Sequence, residues 1–445
     1  MSVHPQSFWK WRWPLMALTA VVAGMIFLKN KKSVVEAEPR FQMRPTVAAQ
    51  NEMPFYQEEV IDPHETYRMA HVASMTELPD ETLVTTWYGG SGELDPDVKI
   101  YCSIRRRGHP RFRGDKKGAS PIIHDQEHEL TGTDPFSDPF VIMTREEAMR
   151  ELGCYVKGLG NALIFSGEDG VLHLLFVTVS IGKWSGSQLN LTSSFDQGKT
   201  WAKSRRLYLS PFFNLSELVK NAPTPLVGGG WMIPIYQEFL GKFPELLWLW
   251  PEPLCGCLSL KFKLKKKLHH LIPWLFQLPT STNLYANFYI TKSRIAGGCS
   301  CFQPSVTALD EKRAVAFCRD YQTSGKIWRA QTNDAGKSWS TPQPVDLPNH
   351  DSGVASIRLS DGELLLAFND SPTSARNNLR LALSHDAGKT WQRIATIAEN
   401  PQGDFSYPFL FQTRDGTIHL LYSWQRRHIR HVTFNQAWVA SLEKK

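Results

Sequence analysis

The sequence predicts an all-β chain, a six-bladed β-propeller behind an N-terminal membrane anchor, and three observations carry the propeller. An eight-residue phrase occurs three times, at Ser194-Phe195-Asp196-Gln197-Gly198-Lys199-Thr200-Trp201, Thr332-Asn333-Asp334-Ala335-Gly336-Lys337-Ser338-Trp339 and Ser384-His385-Asp386-Ala387-Gly388-Lys389-Thr390-Trp391. A turn followed by an apolar strand occurs six times, beginning at Asp80, Asp169, Gly229, Asp310, Asp361 and Asp415. The two repeats keep phase. Where a copy holds the phrase, the phrase's Asp follows the turn by 27, 24 or 25 residues. Fixed-form repeats at this spacing mark a repeat architecture.

Each part has a physical reason. In the phrase, Asp bonds the local backbone, Gly admits positive φ, and the trailing Trp anchors the turn on a sheet. Successive turns lie 89, 60, 81, 51 and 54 residues apart, room for one four-stranded blade each plus insertions. A β-sandwich with coincidental turns is the alternative, and it does not account for the shared phase. The 445 residues exceed one ordinary small domain, but a propeller grows by adding blades. With 11% aromatic and 21% charged residues the chain suits a packed β core.

The flanks and irregular stretches follow. An apolar run, Pro14 to Leu28, lies between Lys10 with Arg12 and the cluster Lys29, Lys31, Lys32. Fifteen residues is short for a span, but Trp11 and Trp13 extend it at the interface, and no small-residue cleavage site follows. Residues 1–32 are therefore expected to be an uncleaved signal-anchor, 33–54 a polar linker and 55–440 the propeller, placed periplasmically or otherwise outside the cytoplasm. The stretch 249–291 lacks the repeat rhythm and reads as an insertion in the fourth blade. The net charge of +7 is modest, and its basic clusters (Arg105 through Lys117, Lys261 through Lys267) read as solvated loops. Nothing resembles a nucleic-acid module. Seven cysteines include two C-x-C pairs, Cys255/Cys257 and Cys299/Cys301, too closely spaced for the usual zinc site. They read as ordinary thiols, with no metal and no cofactor.

The repeats also locate a site. Each turn joins antiparallel strands, so residues just before the first strand and just after the second share one end of a blade. Before the turns lie His71, Asn161, Asn221, Gln303, Ser352 and Tyr407. After the second strands lie Tyr88 with the loop to Asp97, Ser180, Glu238, Arg319, Asn369 with Asp370, and Trp424 with Arg426. Polar groups in one register in six copies point to a central pocket.

The phrase resembles the Asp-box of sialidases, and the similarity extends to single residues across about 55–435. Tyr67-Arg68-Met69-Ala70 is similar to the family's Tyr-Arg-Ile-Pro motif. Gln303 through Arg319 resembles the strand pair ending in the second arginine, and Arg376-Asn377-Asn378-Leu379-Arg380-Leu381 the segment bearing the third. The resemblance implies that Arg68, Arg319 and Arg376 hold a sugar carboxylate, that Tyr407 is the nucleophile and that Asp97 is the acid/base. The residue types fit that chemistry. Guanidinium groups hold carboxylates bidentately, and a neutral phenol meets less repulsion than a carboxylate beside an acidic anomeric carbon.

Two departures stand out. The family's Tyr-activating Glu is replaced by Gln303, and the Glu that orients the first arginine by Ser423. Glu238 and Glu93, at the same end, are the candidate bases for Tyr407; His71 and Asn161 line the substrate side with Gln303. The expected activity is exo-glycosidase cleavage of a terminal sialic acid or related acidic sugar from a glycan. The alternatives are a uronic-acid or deoxy-sugar hydrolase or lyase, and a non-catalytic glycan-binding propeller.

Overall fold

A computed structural model describes residues 38–43, 53–62, 67–106, 136–210, 214–239, 241–251, 288–295, 300–322, 324–373 and 375–443. These form six antiparallel sheets around an axis, five with four strands and one with a split first strand. The strand β1 (Tyr56–Val60) is held over for the last blade. Blade one is β2 (Met69–Glu77), β3 (Leu83–Gly90), β4 (Lys99–Arg105) and β5 (Phe140–Met143). After α1 (Arg145–Leu152), blade two is β6 (Gly158–Ser166), β7 (Leu172–Val179), β8 (Ser187–Ser194) and β9 (Arg205–Arg206). Blade three joins β10 (Leu218–Val219), β11 (Thr224–Pro225), β12 (Trp231–Glu238), β13 (Lys242–Pro251) and β14 (Phe288–Arg294). Blade four is β15 (Cys301–Ala308), β16 (Ala314–Asp320), β17 (Lys326–Thr332) and β18 (Gln343–Pro348). Blade five is β19 (Ala355–Arg358), β20 (Leu364–Phe368), β21 (Asn378–Ser384) and β22 (Gln392–Glu399). Blade six is β23 (Phe405–Gln412), β24 (Ile418–Trp424) and β25 (His428–Phe434), completed by β1, before the helix α2 (Gln436–Glu443).

The all-β six-bladed expectation is met, and all six turns join the first two strands of a blade. The ring closes because β1 pairs with β25, Tyr56 opposite Phe434, so N- and C-terminal chain share a sheet. Closure joins the last blade to the first part of the chain, and each blade keeps only short edges. Strands such as β7 are buried over their whole length because neighbouring blades cover both faces.

The Asp-boxes connect third to fourth strands in blades two, four and five. In the last, Thr390 donates from its backbone N (2.9 Å) and its Oγ1 (2.7 Å) to Asp386, and the Gly388 N donates to Ser384 Oγ at 2.8 Å. Gly388 has φ +78, and a Cβ there would stand 2.3 Å from Phe317 of blade four. Each box glycine thus meets the preceding blade, Gly336 against Trp248 and Gly198 against Ile104.

Three expectations shift. The irregular stretch belongs to blade three, because β13 and β14 pair in unbroken register, Pro251 opposite Phe288, and the intervening residues 252–287 lie outside the described residues. Part of the expected linker packs: Phe41 is fully buried and bridges Leu226, with Phe41 N donating to Glu311 O at 2.8 Å. Cys301 is disulfide-bonded rather than a thiol, whereas Cys102, Cys154 and Cys318 are free. The expected anchor, 1–32, lies outside the described residues. Among those described, no helix is long and apolar enough to cross a membrane.

Candidate active site

The first strands of the blades surround the axis, and four carry a β-bulge near the predicted end. Register shifts fall between His71 and Ser74, Gly160 and Ala162, Phe302 and Ser305, and Ser406 and Phe409. Three place a non-glycine residue in the left-handed region: Val72 (φ 49), Gln303 (φ 51) and Tyr407 (φ 54). A bulge re-aims a side chain, and such strain persists where the surrounding structure enforces it. The second bulge residue is Pro304 in blade four, Pro408 in blade six and Ala73 in blade one.

Tyr407 is the focus. Its ring meets the His71 ring edge-on at 4.6 Å, with the Arg376 and Arg319 guanidinium groups 5.1 and 5.9 Å from its centroid. Burial pushes the phenol up, but the charges of Arg319 and Arg376 outweigh it and hold Tyr407 below the ordinary tyrosine value. Gly353 lets the chain pass beneath; a Cβ there would lie 3.4 Å from the Tyr407 ring, 3.2 Å from Lys220 and 3.1 Å from Gln303.

On one side runs a polar network. Asn161 Nδ2 donates to Val219 O (2.8 Å) and Tyr236 Oη (3.2 Å), and Gln303 Nε2 donates to the same Oη at 3.0 Å. Gln303 Oε1 accepts from Arg319 Nη1 at 2.9 Å. Arg319 also gives Asp351 Oδ1 two bonds, from Nε (3.1 Å) and Nη2 (2.7 Å), and Asp351 O a third at 2.9 Å. Arg376 Nη2 donates to that carbonyl at 3.0 Å. The buried Lys220 Nζ donates to Asn221 Oδ1 (2.7 Å), Val354 O (2.9 Å) and Pro408 O (2.7 Å), linking blades three, five and six.

Opposite stand His71, Glu93 and Arg426. His71 Nδ1 bonds Ser423 Oγ at 2.9 Å, and its buried Nε2 has no hydrogen-bond partner but faces Glu93 Oε1 at 3.8 Å. Burial, then Arg426 and Arg376, push His71 well below the ordinary histidine value. Arg426 binds Glu93 Oε1 (3.1 Å) and Asp404 Oδ2 (3.2 Å), and Trp184 Nε1 donates to Glu93 Oε2 at 3.3 Å.

The predicted residues thus divide. Tyr407, Arg319, Arg376, His71, Gln303, Asn161 and Glu93 come together. Glu238 ends β12 beside Lys242 (3.8 Å) and touches the network through its field on Tyr236. Asp97 is exposed in the β3–β4 loop, where its Oδ2 accepts from Ser91 N (2.9 Å) and Oγ (2.7 Å). Arg68 is exposed ahead of β2, and among the described residues no hydrogen bond or ion pair joins it to the cluster. The sequence reading did not assign Arg426, Asp351, Lys220, Tyr236 and Asp404 as site residues. Arg426 appeared in the end-of-strand set, and Asp351 and Lys220 each adjoin a residue singled out there, Ser352 and Asn221.

Two other features lie apart. A cavity of about 180 Å³ at the other end of the first strands is lined by Thr76, Ser166, Thr307, Arg358 and Arg414, and no member of the Tyr407 cluster lines it. Among the described residues, Glu363, His385 and Glu443 have donor spacing for a metal. There His385 places Nδ1 2.6 Å from Glu363 and Nε2 3.0 Å from Glu443. An imidazole bonded from both nitrogens acts as a clamp between two carboxylates, the arrangement of a protonated histidine.

The comparisons agree with the fold. A sequence model described as BNR repeat-like domain matches residues 81–420. The chain belongs to the BNR repeat-like domain family. Similar solved structures include a Hadza microbial sialidase, Hz136, 14% identical with TM-score 0.58, covering 84% of this chain and 68% of that one. A Dyadobacter fermentans protein of unknown function is 14% identical with TM-score 0.57, covering 86% and 100%. The intramolecular trans-sialidase from Ruminococcus gnavus, crystallised with oseltamivir carboxylate, is 11% identical with TM-score 0.53, covering 86% and 98%. At these identities the likeness shows the fold. No curated protein sequence matched. This chain is thus a BNR repeat-like propeller.

Proposed function

We propose that this propeller is a retaining exo-glycosidase acting on a terminal acidic sugar of a glycan, with Tyr407 as nucleophile. One observation carries the reading: Tyr407 sits on a left-handed bulge at the axis with its phenol held below the usual tyrosine range by Arg319 and Arg376. A lowered phenol pKa raises the phenolate fraction at any given pH, which is what nucleophilic attack requires. Glu93 is the better candidate to receive the phenol proton, since its charge acts on Tyr407 and its Oε1 faces His71. Glu238 is turned to Lys242. Asp97, on the loop at the same end, is the group to protonate the leaving oxygen and then activate water. Sialic acid is the first sugar to test, and the membrane-anchored, extracytoplasmic placement rests on the run Pro14 to Leu28.

A second reading, a uronic-acid or deoxy-sugar hydrolase, gains from the exposed Arg68, which stands apart from the cluster, and from the buried His71 against Tyr407. Both are tested by incubating the full chain and its Tyr407→Phe variant with fluorogenic α-sialosides and β-glucuronides. Turnover lost in the variant supports the nucleophile, and the sugar that turns over chooses between the readings. Glycan binding by both proteins without turnover would overturn the enzyme reading in favour of a binding propeller.

A further inference from the structure

Arg319 has little left to offer a ligand. A guanidinium has five N–H donors. Asp351 takes three bonds from Nε and Nη2, Gln303 takes one from Nη1, and the same group neighbours the Tyr407 phenol. The edge that would grip a carboxylate already holds one. Asp351 is kept there by its backbone, with φ 50 and its N donating to Asp320 O at 2.9 Å. Arg426 is likewise matched, by Glu93 and Asp404. Arg376 differs: its half-buried guanidinium bonds a carbonyl through Nη2, and among the described residues no carboxylate forms an ion pair with it.

We propose that Asp351 is a specificity-determining residue, a built-in counter-ion that fills the Arg319 fork and leaves Arg376 alone to receive the acidic group of the sugar. The inference rests on the acidic-sugar reading above and narrows it. The substrate carries one carboxylate, held through a single guanidinium, as a uronic acid's is when the group stands away from the anomeric carbon. Three guanidinium groups closing on a carboxylate at the anomeric carbon would require Asp351 to leave.

The test is binding, not turnover. The full chain, Asp351→Ala and Asp351→Asn are titrated with D-glucuronic acid and N-acetylneuraminic acid, each beside its methyl ester, with thermal melts to show folding. Freeing the fork should tighten N-acetylneuraminic acid at least about tenfold in Asp351→Ala, the yield of one charge-assisted hydrogen bond. The esters should not change. If Asp351→Ala does not fold, Asp351→Asn, which keeps an acceptor but no charge, is read by the same criterion. Acid binding by the wild type that fails to tighten in the variant overturns the proposal alone. Failure of every protein to bind either acid overturns it together with the acidic-sugar reading.

Discussion

Replacing Arg426 with Met tests how the charges around Tyr407 are balanced. Arg426 is tied to Glu93 at 3.1 Å and Asp404 at 3.2 Å, and its side chain is 43% exposed. Half-solvated pairs of this kind contribute little, so the loss of stability at neutral pH should be about 1 kcal/mol. The larger effect falls on His71. Its Nε2 faces Glu93 Oε1 at 3.8 Å, a charge pair worth about 4 kcal/mol at an effective dielectric of about 20. Arg426 now offsets that attraction. Without it, one of the two positive charges that disfavour the imidazolium is gone, and the His71 titration should move up, with burial and Arg376 still holding it below the ordinary histidine value. The sign follows from linkage. In the wild type the folded state binds the His71 proton less well than the unfolded chain, so stability falls as pH drops through the ordinary histidine value. In Arg426→Met that acid-side loss should shrink. The assay is NMR titration of the histidine ring resonances, with His71 assigned by a His71→Gln variant, beside denaturant unfolding at several pH values. A His71 midpoint no higher in Arg426→Met than in the wild type would refute the reasoning.

Two further predictions concern the scaffold. Gly388→Ala should destabilise by about 3 kcal/mol through its φ of +78 and a Cβ placed 2.3 Å from Phe317, whereas Gly153→Ala, at φ +64 with open space, should cost about 1 kcal/mol; comparable midpoints in urea would count against box-to-blade packing. In Asp386, burial raises the carboxyl, but the bonds from Thr390 outweigh it and hold it at about 2. The stabilisation is present above the ordinary carboxylate value and is lost as pH falls through about 2. Since Asp386 is only partly buried and its charge is screened by solvent, Asp386→Ala should cost about 1 kcal/mol at neutral pH and much less near pH 2. A deficit unchanged by acid would show that the carboxylate charge is irrelevant to the box.

What the sequence determined by itself was local. The Asp-box works through bonds two to four residues apart, as in Ser384 to Asp386 and Asp386 to Thr390, and its glycine and trailing Trp sit at fixed offsets. The blade turns are equally short, so the repeat, the blade count and the end of the propeller that bears the site could be read directly. Tyr407, Arg319, Gln303 and Asn161 were legible because each falls at a set distance from such a turn, whereas Arg376 was legible only through the segment 376–381 that resembles the family's. Counting from turns fails where a bulge changes the count: Val72, not His71, is the counterpart of Gln303 and Tyr407. Nor can it show which carboxylate meets which arginine. Glu93 reaches Arg426 across 333 residues and His71 reaches Ser423 across 352, because ring closure by β1 and β25 brings blade six beside blade one. Asp351 in the Arg319 fork is set by the loop that joins blades four and five folding back onto a strand of blade four. Local chemistry wrote the blades into the sequence; the charge balance at the axis exists only once six of them have closed.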